Sequence, residues 1–103
     1  MTFSVSAALL DACVLGALSL RQTYGYDLTQ KLQGAISISE STLYPVLRRL
    51  LKEGMLSTYD EPFDGRNRRY YLLTEQGSAA LITYRKDWER YSQSVERLLG
   101  GAV

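Results

Sequence analysis

Between Gly65 and Arg69 the chain reads Gly65-Arg66-Asn67-Arg68-Arg69, setting three guanidinium groups and an amide side by side. Such groups donate charge-assisted hydrogen bonds to phosphate oxygens and base edges. Upstream, Ser41, Tyr44, Arg48 and Lys52 fall on one arc when wound at helical pitch, with Arg49 on its flank and Thr42 beside Ser41. Hydroxyls and cations on one helix face suit the same task. Each set has an ordinary alternative, because solvated charge is the default on a surface helix and charges protect a hairpin from edge pairing. A basic helix followed by a basic hairpin favours DNA recognition.

Catalytic chemistry finds little support. The chain has no histidine, so imidazole metal sites and histidine-based triads are excluded, and its one cysteine, Cys13, can form neither an internal disulfide nor a zinc site. Asp60, Glu61 and Asp64 share a loop without a nucleophile nearby. The expectation is a protein that is not an enzyme and uses no metal or cofactor.

At 103 residues the chain suits one small domain, and a 46% hydrophobic fraction is too high for intrinsic disorder. Net charge is only +1 because the three acids before the arginine run offset it locally. The longest apolar stretch, Ala12 to Leu18, falls well short of the ~20 residues of a membrane span. MTFSVSAALLDA lacks a basic n-region and meets Asp11, so no signal peptide is predicted, and a cytoplasmic protein with a free thiol is expected.

The elements that would position these groups follow from periodicity. Leu9, Leu10, Cys13, Val14, Ala17 and Leu18 predict a first helix over Ser6–Leu20, apolar nearly all round and mostly buried, with Cys13 as core packing. Arg21–Tyr24 reads as a turn. A short helix over Gly25–Gln33 offers Tyr26, Leu28 and Leu32 to the core and ends at Gly34. Ser39 caps a third helix reaching Glu53, with Leu43, Val46, Leu47, Leu50 and Leu51 on its apolar side. Pro45 inside it should cost stability or bend the helix. Met55–Tyr59 and Arg69–Leu73 alternate as paired strands, joined by a long loop over Asp60–Arg68. Thr74 caps a final helix to about Leu99, ended by Gly100 and Gly101. Its Leu81, Tyr84, Trp88, Tyr91, Val95 and Leu98 are spaced 3, 4, 3, 4 and 3, a heptad seam.

Three helices, a hairpin and a long helix describe a mainly α fold with a small β-hairpin. This is a winged helix-turn-helix over 1–74 plus a C-terminal dimerisation helix over 75–103. The third helix would be the recognition helix and the hairpin the wing. The seam is too long for so small a domain to cover, which predicts a homodimer and, by symmetry, a palindromic duplex target. The rival function is a winged module that contacts protein or RNA without a specific operator.

The chain also resembles the PadR-like transcriptional regulators over most of its length. The resemblance rests on Tyr24-Gly25-Tyr26-Asp27-Leu28, Ser41-Thr42-Leu43-Tyr44-Pro45-Val46-Leu47-Arg48-Arg49-Leu50, Glu53-Gly54-Met55-Leu56, Gly65-Arg66-Asn67-Arg68-Arg69-Tyr70-Tyr71 and Leu73-Thr74-Glu75-Gln76-Gly77. The Tyr44-Pro45 pair inside a helix is a feature of that family, and the short tail resembles its compact branch with a single terminal helix. The resemblance implies a homodimeric repressor. It also implies that Trp88, with Tyr84 and Tyr91, occupies the place where an aromatic side chain lines a pore between subunits that accepts planar hydrophobic molecules.

Overall fold

The computed structural model describes residues 3–100, leaving Met1, Thr2, Gly101, Ala102 and Val103 outside the described residues. Helix α1 (Ala7–Leu20) begins where the Ser6 hydroxyl accepts from the Leu9 N–H at 3.1 Å. Its burial is one-sided: Leu10, Val14, Leu15 and Leu18 enter the core, whereas Leu20 is exposed. Asp11 is buried on the same helix. Cys13 is half-buried, and burial pushes its thiol pKa up.

The expected turn holds a short strand instead. β1 (Thr23–Tyr24) pairs antiparallel with a later strand, Thr23 against Tyr71 and Tyr24 against Tyr70. Two residues are too few to show a period, so only the distant partner defines the strand. Helix α2 (Gly25–Ala35) follows at once and runs through Gly34, which is not its terminator. It ends at Ile36, whose N–H donates to the Leu32 carbonyl and whose side chain packs on the core with Ile38. Leu28 and Leu32 are buried as expected, but Tyr26 is exposed.

Helix α3 (Glu40–Lys52) starts at the expected cap, with the Ser39 hydroxyl accepting from the Thr42 N–H at 3.2 Å. Leu43, Leu47 and Leu50 are buried at spacings of four and three. The helix passes through Pro45 without a break. The Ser41 carbonyl, which loses its helical donor there, belongs to an exposed residue, so water can replace the bond.

Strands β2 (Leu56–Phe63) and β3 (Arg66–Leu73) are longer than expected, and the long loop contracts to Asp64-Gly65. Both turn residues have positive φ, 50° and 75°, as a tight two-residue hairpin requires. The Asp-Gly pair was the available signal, and Pro62 obscured it. Pro62 is tolerated because β2 lies at the edge of a sheet ordered β1-β3-β2.

Helix α4 (Glu75–Leu99) starts under a knot of backbone contacts. The Thr74 hydroxyl accepts from the Gly77 N–H and donates to the Gly54 carbonyl, while the Thr74 N–H donates to Met55. A Cβ on Gly77 would lie 2.1 Å from the Met55 carbonyl oxygen, so only glycine fits. α4 ends at Gly100, in the left-handed region at φ 83°. Its first turns belong to the winged core, and its remainder extends a molecule measuring 54 × 29 × 21 Å. Among the described residues no helix is long and apolar enough to cross a membrane.

Candidate nucleic-acid interface

The outer face of α3 carries Ser41, Thr42, Tyr44, Arg48 and Lys52, all exposed opposite the buried leucines. The Ser41 and Thr42 hydroxyls lie 2.9 and 3.0 Å from the Ser39 oxygen, within the cap of the helix. Arg48 and Lys52 make no ion pair among the described residues, so their charge faces solvent.

Arg49 is placed differently from its expected role. Its guanidinium donates to the Asp11 carboxylate on α1 and to Glu53 one turn on, at 3.2 and 3.3 Å. The bond to Asp11 is the main reason its pKa is raised. Arg49 thus fastens α3 to α1. The sequence held no sign of this, because Asp11 lies 38 positions away.

The wing arginines, read as one cluster, are divided by the pleat. Side chains alternate along β3, so Asn67 and Arg69 share a face with buried Tyr71, while Arg66 and Arg68 share the opposite face with Tyr70. Arg69 reaches Asp60 directly across the hairpin at 3.4 Å. Arg68 lies over two aromatic rings, 4.1 Å from Tyr24 and 3.6 Å from Phe63. Tyr70 continues this aromatic face, stacked on Tyr59 at 5.2 Å with a 7° interplanar angle.

Between the wing and the helices lies an open groove of about 780 Å³, lined by Tyr26 and Tyr44 on one side and by Phe63 and Arg66–Arg69 on the other. Of the α3 candidates the groove brings only Tyr44 to the wing residues; Ser41, Thr42, Arg48 and Lys52 lie outside its lining. Tyr24, Tyr26 and Phe63 were not anticipated there. An Asp-Gly turn, read as such, would have set Phe63 opposite Arg66 and revealed its place.

The candidate seam of α4 is also divided. Leu81 is only 5% exposed and packs inside the chain's own core, so it is not available to a partner. Tyr84 is half-buried; burial, then the charge of Asp11, raises its pKa. Beyond it Trp88, Tyr91 and Leu98 are 49%, 65% and 87% exposed, with Val95 half-buried between them. Trp88 and Tyr91 lie 6.3 Å apart between ring centres. With Tyr84 and Asp87 they face Leu9 and Ala12 of α1 across a second groove of about 430 Å³.

Three helices, a hairpin wing and a long terminal helix make this a winged helix-turn-helix protein. Residues 14–83 match the Transcriptional regulator PadR-like family, and the chain belongs to it. Transcriptional regulator Rv3488 of Mycobacterium tuberculosis is 40% identical over 81 residues, 78% of this chain and 73% of that protein. The crystal structure of smu.1704 from Streptococcus mutans superposes with a TM-score of 0.90 at 40% identity, covering 100% of this chain and 97% of the other. A PadR-like transcriptional regulator from Bacillus cereus gives 0.81 at 32% identity, covering 90% and 93%.

Proposed function

We propose that the protein is a homodimeric repressor that binds a palindromic DNA operator and is released by a planar aromatic ligand. It acts by binding, without catalysis. The observation that carries the DNA reading is the groove flanked by exposed Tyr44 and the wing, with Arg48, Lys52, Arg66 and Arg68 free of intramolecular ion pairs among the described residues. A two-fold partner on the exposed stretch of α4 would cover Trp88, Tyr91 and Leu98 and set two recognition helices about 34 Å apart, one turn of DNA.

Salt titration of duplex binding tests this. If about six phosphates are engaged by the dimer, log affinity falls against log salt with a slope of about −5. A flat response, or no preference for duplex, refutes it. Replacing Arg66 and Arg68 together by Ala should weaken DNA binding and leave the dimer intact.

The ligand reading is supported by the aromatic groove at Trp88, whose size lies within the range of small-molecule sites. A ligand seated there lowers operator affinity only by as much as it prefers a dimer geometry unsuited to DNA. Trp88 fluorescence, titrated with planar dyes, should be quenched. An unchanged signal across a chemically broad panel removes the ligand from the proposal.

A further inference from the structure

The basic residues of the wing and of α3 differ in how their donors are used. Arg49 and Arg69 donate to carboxylates within the chain. Arg66 is exposed at the wing tip without an ion pair among the described residues. Arg68 combines two properties: its position is restrained, and its N–H groups make no hydrogen bond among the described residues.

Its neighbours explain the combination. Glu61 lies directly across the hairpin from Arg68, on the same face of the sheet, yet the two form no ion pair. The guanidinium lies instead over Tyr24 of β1 and Phe63 of β2, the two strands that flank β3. Ring faces attract the cation through their quadrupole and occupy the faces of the planar group, not its N–H edges. A restrained arginine loses less rotamer freedom when it engages an external acceptor.

We infer that Tyr24 and Phe63 are positioning residues that hold Arg68 in readiness for a DNA phosphate. This rests on the DNA-binding reading above and identifies Arg68 as the pre-set phosphate contact of the wing. Phe63 is half-exposed at the hairpin end and lies outside the hydrophobic core, so changing it tests position without dismantling the fold.

The test measures duplex affinity across a salt series for the wild-type chain, Phe63→Leu, Phe63→Tyr, Arg68→Ala and the double variant Phe63→Leu with Arg68→Ala. Arg68→Ala should make the salt slope shallower by about 2 for a dimer, one phosphate per subunit. Phe63→Leu should weaken binding roughly 3- to 10-fold, and Phe63→Tyr, which keeps the ring, should restore most of it. In the Arg68→Ala background Phe63→Leu should have no further effect. The inference is overturned if Phe63→Leu binds like wild type, if Phe63→Tyr is as weak as Phe63→Leu, or if the leucine effect persists without Arg68. If the wild-type chain binds duplex and Arg68→Ala leaves the slope unchanged, the DNA reading stands and the positioning role falls. A wild-type chain that binds no duplex overturns both.

Discussion

Removing either partner of the Asp11–Arg49 pair should have unequal consequences. The Asp11 side chain is 10% exposed and that of Arg49 is 42% exposed. Arg49→Ala leaves a carboxylate enclosed on α1 with no other hydrogen-bond donor among the described residues. Breaking a fully buried pair costs about 3–5 kcal/mol, and the half-exposed guanidinium reduces that here to about 2–3 kcal/mol. Asp11→Ala leaves an arginine that still reaches Glu53 and water, a loss of only about 1 kcal/mol. The double variant should cost less than the two single losses combined, because no unpaired charge remains. Thermal melting at one fixed protein concentration reads the difference: a Tm drop of roughly 10–20 °C for Arg49→Ala against about 5 °C for Asp11→Ala. Equal drops, or a larger one for Asp11→Ala, refute the reasoning. Duplex binding supplies a second check. As an internal fastening, Arg49 contributes nothing to the salt slope, so a slope made shallower in Arg49→Ala would return it to the DNA-contacting set.

Three further outcomes follow from the packing. Gly77→Ala must displace the Met55 carbonyl and should destabilise the fold by at least about 2 kcal/mol, measured by denaturant unfolding. Leu81→Ala should cost about 2–4 kcal/mol of domain stability, whereas Trp88→Ala should weaken self-association, seen by sedimentation, with little loss of helical content. Burial raises the Cys13 thiol pKa, so alkylation at neutral pH should be slower than for a free thiol. The sign of the linked stability follows: above about pH 8.5 the unfolded chain loses the thiol proton first, so stability declines as pH rises further.

Much of the candidate interface was legible because it depends on local order. The cap at Ser39 and the leucines at 43, 47 and 50 fix which arc of α3 faces outward, so Tyr44, Arg48 and Lys52 could be placed from periodicity alone. The arginine run of the wing was equally visible, but its division into two faces was not. That division depends on the Asp64-Gly65 turn and on the register it sets, Phe63 against Arg66.

The sequence by itself determined the order of elements, the outward arc of α3 and the long terminal helix, since each arises from residues a few positions apart. The tertiary structure alone decided which like residues serve different ends. Arg49 turns inward to Asp11 while Arg48 remains outside, and Leu81 enters the core while Leu98 stays exposed. Arg68 settles over Tyr24 and Phe63 rather than pairing with Glu61. In each case the deciding partner lies on another element, and a side chain's environment depends on what packing brings within a few ångströms, which spacing along the chain does not encode.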